Sequence, residues 1–322
     1  MNLLSKWSAA GAVATLAAAV AVLTPTVAEA QRTTIRIDGS STVFPVTQAV
    51  AEEFQTAQRG QVRVTVGVSG TGGGFRKFCE RDGTHISNAS RPMRDSEIEA
   101  CRAAGVEFIE LPVAYDALSV VVSDNNTFIE SMTVEELKKL WSVESQGSIT
   151  RWNQIRPEWP NQRIVLYGAG ADSGTFDYFL EAIVDGDSRT DFTPSEDDNV
   201  LVRGIASSPF ALGYFGLTYY INNQDTLRAV AIDDGNGPVY PSEETVNNGT
   251  YTPLSRPIYI YVNKQALETI PALGEFVKFY LENAPALVEA VDYVALPSAD
   301  YRAAMTRFEN RQTGRTPLRQ GL

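Results

Sequence analysis

Three short segments of this chain hold the residue types best suited to chemistry. They are Gly-Ser-Ser-Thr at 39–42, Ser-Gly-Thr-Gly-Gly-Gly at 69–74 and Asp-Ser-Gly-Thr at 172–175. Ser and Thr hydroxyls are rotatable donors, and glycine lets backbone N–H groups come close to a ligand. A tetrahedral oxyanion needs many donors from several directions, and three such segments supply them. Hydrogen bonds to a charged group contribute roughly 1.5–3 kcal/mol each. A handful therefore reaches the about 8 kcal/mol of micromolar binding, after the costs of closure and desolvation. The competing expectation is that these hydroxyls only cap helices. Capping has no need of glycine, so glycine enrichment in all three segments favours the ligand.

The flanking patterns say how the segments are positioned. Ile35 and Ile37 alternate with polar residues before the first segment, and Val46, Val50 and Phe54 follow at helical spacing. Val62, Val64, Val66 and Val68 form a strict alternation before the second, and Phe75, Phe78 and Cys79 share a helix face after it. The strand-like run 164–167 precedes the third, with Phe176, Phe179, Leu180 and Ile183 at helical spacing beyond. Ala117 to Val122 reads as a buried parallel strand, and Thr133-x-x-Glu136 as a capping box. Alternating strands and helices predict an α/β fold with largely parallel sheets. Loops from strand to helix then lie at the carboxyl ends of strands, where ligands bind. There the helix N-termini offer unpaired N–H groups and partial positive charge.

Other chemistries fail on detail. No Gly-Lys-Ser/Thr follows the glycines and no G-x-G-x-x-G is formed, so nucleotide loops are not indicated. No G-x-S-x-G elbow occurs. A catalytic triad would have to use His85, the single histidine. Glu196-Asp197-Asp198 reads as an acidic helix start, favoured by the dipole, more readily than as a metal site. Two Cys and one His do not make a usual zinc site, and no metal or cofactor is expected. The net charge of −12 argues against nucleic acid.

The first 30 residues read as a cleaved secretory signal: Lys6, then an apolar run from Ala9 to Leu23, then Ala28-Glu29-Ala30. The run is shorter than a bilayer span needs. Residues 31–322 suffice for two ordinary domains. Cys79 and Cys101 read as a disulfide in an oxidising compartment, with two free thiols as the alternative. Pro112 and the stretch 253–257 punctuate the chain where it would cross between domains.

The segments Asp38-Gly-Ser-Ser-Thr-Val-Phe-Pro, Ser69-Gly-Thr-Gly-Gly-Gly-Phe, Ser87-Asn-Ala-Ser-Arg-Pro-Met and Ala171-Asp-Ser-Gly-Thr-Phe resemble the phosphate-binding protein of the bacterial phosphate ABC transporter. Ala114-Tyr-Asp-Ala-Leu, Asp197-Asp-Asn-Val-Leu-Val and Ala211-Leu-Gly-Tyr-Phe-Gly resemble it too, in family order. The resemblance implies a type II periplasmic-binding-protein fold: two lobes, each a mainly parallel sheet flanked by helices, joined by two hinge strands. Lobe 1 would be 31–113 plus 255–322, and lobe 2 would be 114–254. It implies a periplasmic, non-catalytic, monomeric protein that captures inorganic phosphate and delivers it to the membrane permease subunits of an ABC transporter. Another oxyanion (sulfate, arsenate, molybdate) is the nearest alternative ligand, and a secreted phosphate-ester hydrolase the alternative in a different class. The phosphate contacts carry over to Ser41, Thr42, Ser69, Gly70, Thr71, Ser173, Gly174 and Thr175. Two departures stand out. Many family members have an Asp after the Ala-Ser of the third motif, where this chain has Arg91. Many have an Arg before Ser-Gly-Thr, where this chain has Gly168-Ala169-Gly170-Ala171. Arg91 is therefore expected to supply a bidentate contact to the anion, unless it pairs with a local carboxylate. Asp172 is the candidate acceptor for the anion's proton, or else a helix cap.

Overall fold

The structure is a computed structural model and describes residues 32–171 and 173–316. The expected signal segment, residues 1–30, and Asp172 lie outside the described residues. Among the described residues twelve strands run in chain order: β1 Thr33–Gly39, β2 Val62–Val66, β3 Ile86–Ala89, β4 Phe108–Ser123, β5 Ser131–Thr133, β6 Val165–Ala169, β7 Thr193–Ser195, β8 Ala211–Gly216, β9 Leu227–Ala229, β10 Ala231–Asp233, β11 Pro238–Val239 and β12 Ser255–Asn263. The main sheet has the order β2-β1-β3-β12-β4-β8-β6-β7, with β9 also on β4, and β11-β10-β5 form a small second sheet. Six helices bear on the argument: α1 Phe44–Ala57, α2 Gly70–Phe78, α3 Asp95–Ala103, α4 Val134–Trp141, α5 Gly174–Phe179 and α6 Asp198–Ala206.

The two ends of the main sheet are parallel: β1 with β2 and β3, and β6 with β7 and β8. The strands joining them are not. β12 runs antiparallel to β3 and β4, and β4 antiparallel to β8 and β9. The run Ala117–Val122 is thus buried as expected but paired antiparallel. Burial on both faces writes the same apolar run whatever the partner's direction, and Leu118, Val120, Val121 and Val122 are all fully buried.

β4 and β12 carry the crossings. Ile258 stands opposite Ala114 and Tyr259 opposite Pro112, so Val113 is an extra residue in β4. Such a bulge bends its strand. It also accommodates Pro112, which has no N–H to give to a ladder. The Val113 carbonyl accepts instead from the Tyr301 hydroxyl at 2.8 Å.

The helices seat by the expected apolar faces. Val46, Val50 and Phe54 of α1 are buried, and the Phe54 ring meets Phe276 and Phe279 at 5.3 and 5.4 Å. Each such side chain contributes roughly 1.5–3 kcal/mol by burial. Thr133 caps α4, accepting from the Glu136 N–H while the Glu136 carboxylate returns to the Thr133 N–H. Phe75 and Phe78 pack with Met93 and Tyr261 beneath α2 and α3, which the Cys79–Cys101 disulfide ties together. Among the described residues no helix is long and apolar enough to cross a membrane.

His85 sits at the start of β3, only 7% exposed. Its Nδ1 accepts from the Arg36 N–H at 3.2 Å, which requires the neutral ring. Burial, helped by the Arg36 charge, lowers its pKa from 6.5 to about 4. A folded-state value below the unfolded one means stability that is full above about pH 6.5 and is lost as pH falls toward 4. Between pH 7 and pH 4.5, wild type is therefore expected to lose about 2 kcal/mol more unfolding free energy than His85→Gln, measured by denaturant titration. Parallel losses in the two proteins would contradict this.

Candidate functional site

Loops at the ends of β1, β2 and β6 converge on one side of the molecule. Backbone bonds seat the first two: the Ser40 N–H donates to the Asn88 carbonyl at 3.0 Å, and the Ser69 N–H to the Gly39 carbonyl at 3.1 Å. The glycine run serves this packing. A Cβ on Gly74 would lie 2.5 Å from the Gly39 Cα, so only glycine lets α2 press against the end of β1. A cleft of about 500 Å³ opens beside these loops, with Ser41, Val68, Asp116, Ser173, Gly174 and Thr175 in its wall. At about 30 Å³ per water it is much larger than one tetrahedral anion. Across it the first and third loops nearly touch. A Cβ on Gly174 would sit 3.3 Å from the Thr42 Cα and 3.4 Å from its hydroxyl.

Capping accounts for only one of the three loops. The Ser173 Oγ accepts from the Thr175 N–H at 3.1 Å and caps α5. α1 starts at Val43 without a side-chain cap, and Ser69 stands at the start of α2 without capping it. The Ser69 hydroxyl instead donates to the Asp38 carboxylate, which also pairs with Lys77 at 2.6 Å. The Thr71 hydroxyl lies 3.0 Å from that of Ser90 and accepts the Ser90 N–H at 3.2 Å. The structure thus brings Ser41, Ser173, Gly174 and Thr175 into the cleft wall, with Thr42 buried behind Gly174. From the second loop Val68 lines the cleft, whereas Ser69, Gly70 and Thr71 are not part of its wall. Asp172 lies outside the described residues.

The expectation for Arg91 needs correction. Its guanidinium forms a two-pronged pair with Glu97, both bonds 2.8 Å, and also donates to the Pro92 carbonyl at 3.1 Å. It lies 5.6 Å over the Phe75 ring. The guanidinium is thus taken up by the local pairing, because Glu97 in the first turn of α3 is six residues away and fits the fork. The Glu97 bond raises the Arg91 pKa further. Burial pushes Glu97 up, but its bonds to Arg91 and to the Arg94 N–H outweigh this and hold it below its ordinary value.

The sequence reading missed the cationic part of the site. Arg256 of β12 is the register partner of Asp116 in β4. Its Nε donates to the Asp116 carboxylate at 3.3 Å and one terminal nitrogen to Glu181 at 2.8 Å. The other terminal nitrogen donates to the Thr42 hydroxyl at 3.3 Å. The guanidinium stacks 3.7 Å over the Tyr178 ring, and the Tyr293 hydroxyl donates to the Thr42 carbonyl at 2.7 Å. One signal was legible: Asp116 is the single charged residue in the mostly apolar run from Val113 to Val122, where an unpaired carboxylate would be costly.

The remaining wall is acidic. Asp116, Glu196, Asp198 and Asp292 line the cleft. The helix-start reading of 196–198 holds, since Asp197 caps α6 by accepting from the Asn199 N–H at 2.9 Å. Asp198 at the same helix end faces the cleft. Burial, with Asp292, Asp197 and Glu196 nearby, pushes it up to about 7.

A fold of two α/β halves sharing a pair of long strands, with a donor-lined cleft beside them, defines a solute-binding protein of the two-lobed type II class. A family profile described as "PBP superfamily domain" matches residues 24–284, and the chain belongs to this family. Protein SphX of Synechocystis sp. is 48% identical over 282 residues, 87% of this chain and 83% of SphX. The phosphate-binding protein PstS of Staphylococcus saprophyticus is 35% identical over 278 residues, 86% of this chain and 84% of PstS. A crystal structure from Planctomyces limnophilus, described as that of a possible phosphate binding protein, is 44% identical with a TM-score of 0.82, and the match covers 87% of this chain and 98% of that one.

Asp198 should make anion affinity depend on pH. It is mostly protonated at pH 6 and mostly ionised at pH 8, where it adds a negative charge to the wall beside Asp292, Asp197, Glu196 and the Tyr219 hydroxyl. Asp198→Asn should bind phosphate like wild type at pH 6 and about fivefold tighter at pH 8, a Coulomb effect of about 1 kcal/mol. Comparing the two proteins at each pH by calorimetry cancels the titration of the ligand. An equal ratio at both pH values would refute this role.

Proposed function

We propose that this protein captures inorganic phosphate between two lobes and hands it to the membrane permease of an ABC transporter. The observation that carries the proposal is the meeting of the Ser41–Thr42 and Ser173–Gly174–Thr175 loops across one cleft. The phosphate-binding relative at 35% identity supports the choice of ligand. The lobes are 31–113 with 255–322, and 114–254. The bulge at Val113 and the β4–β12 ladder support these limits, since the chain crosses between the sheet halves there. Ser69, Gly70 and Thr71 join the contacts when the lobes close and the cleft narrows. The protein acts as a monomer in the periplasm, which residues 1–30 direct it to enter.

Catalysis is not part of the proposal. A Ser or Thr nucleophile in these loops needs a base. His85 lies at the opposite end of β3, four residues and about 13 Å along the strand, with its Nδ1 taken up by Arg36.

Protein freed of bound phosphate by unfolding and refolding should give micromolar or tighter titrations with phosphate and arsenate in a calorimeter, and release no product from a chromogenic phosphate ester. Absence of heat with phosphate at millimolar concentration would overturn the proposal. Gly174→Ala sharpens it. Alanine favours a helix start at least as well as glycine, so the thermal midpoint should not fall. The added methyl would still stand against Thr42 and should weaken phosphate binding at least tenfold. Unchanged affinity would mean the two loops do not close on the ligand.

A further inference from the structure

The geometry points to Asp116, held by Arg256, as the carboxylate that makes this cleft choose a protonated oxyanion over sulfate. The inference rests on the phosphate reading and names the residue responsible for selectivity within that site.

Asp116 lines the cleft together with Ser41 and the Ser173–Thr175 loop, and its side chain is 8% exposed. One carboxylate oxygen accepts from the Arg256 Nε at 3.3 Å. Among the described residues the other oxygen takes no hydrogen bond, although a buried carboxylate has lone pairs for several donors. An anion held in this cleft supplies the missing donor only if it carries a proton. Hydrogen phosphate and hydrogen arsenate do. Sulfate at neutral pH does not, and it would set two negative groups face to face in a site of low dielectric. The selection is by an uncompensated repulsion, the kind of penalty that discriminates between ligands of equal shape.

Arg256 makes this carboxylate compatible with an anion. Its charge offsets that of Asp116, and its terminal nitrogens reach Glu181 and the Thr42 hydroxyl. Glu181 is 62% exposed, so that ion pair is weak and exchanges readily for a ligand oxygen. The bond to Asp116 is sheltered, and stacking on Tyr178 fixes the guanidinium plane. Burial pushes the Asp116 pKa up, and Arg256 opposes it, leaving it at about 6. The group is therefore ionised and able to accept a proton at pH 7. Among the described residues no basic side chain lines the cleft itself, and Arg256 stands behind its wall, bonded to Asp116. Arg91 is committed to Glu97.

The test is a comparison of affinities for phosphate, arsenate and sulfate by calorimetry on phosphate-free wild type, Asp116→Asn, Asp116→Ser, Arg256→Gln and Asp172→Asn, each checked for folding by circular dichroism. Wild type should bind phosphate and arsenate and reject sulfate. Asp116→Asn should weaken phosphate at least tenfold and admit sulfate, so that the phosphate-to-sulfate ratio falls at least a hundredfold. Arg256→Gln should weaken all bound anions with a smaller change in ratio, which separates selection from mere support of the loop. Asp116→Ser serves if the Asn variant does not fold. A folded Asp116 variant that keeps the wild-type ratio would overturn the inference, as would recovery of sulfate binding in Asp172→Asn alone. Wild type that binds sulfate as tightly as phosphate would also overturn it while leaving oxyanion capture intact. Wild type that binds neither phosphate nor arsenate would instead remove the phosphate reading beneath it.

Discussion

The antiparallel ladder between β4 and β12 is the constraint on which the remaining structure depends. Both halves of the main sheet are built outward from it. β12 passes its second half to β3, and β4 passes its second half to β8 and β9. The cross-strand pair Asp116–Arg256 is a rung of that same ladder. Cross-strand charge pairs ordinarily contribute a fraction of a kcal/mol. Here the pair does more, because Arg256 also reaches the Thr42 loop on one side and Glu181 on the other. Asp116 of this rung lines one cleft together with Ser41 from one half of the sheet and the Ser173–Thr175 loop from the other.

The charge of the molecule appears at first to oppose its ligand. A net charge of −12 and a cleft wall of four carboxylates should repel an anion. Capture is nonetheless favourable because the relevant field is local. Ser41 and the Ser173–Thr175 helix start line the cleft, and the Arg256 guanidinium bonds to Asp116 in its wall, whereas distant surface charge is screened within about 10 Å.

Much of this was legible in the sequence. Strict alternation in Val62–Val66 and the 3–4 spacing of Val46, Val50 and Phe54 gave a strand and a helix at the expected places, since one face of each is buried. The loops at 39–42 and 172–175 were legible as neighbours of the cleft, whereas the hydroxyls at 69 and 71 bond to Asp38 and Ser90, which their residue types alone do not reveal. Strand direction was not, because a run buried on both faces carries no mark of its partner's orientation. Arg91 was misread for a related reason. A sequence shows that a guanidinium is available, but not that Glu97 meets it first. Arg256 escaped notice because its partner is 140 residues away in the chain, and only the ladder brings them together. The prolines at 112 and 257 lie in β4 and β12 beside the bulge at Val113, where a central strand tolerates them.

A crystal structure of the phosphate complex tests the central claim most directly. The account predicts a tetrahedral anion between the two halves of the main sheet, within hydrogen-bond distance of the 41–42 and 173–175 loops, with Thr42 and Arg256 at its side. A phosphate bound elsewhere, or bound in the cleft by one half alone, would contradict it.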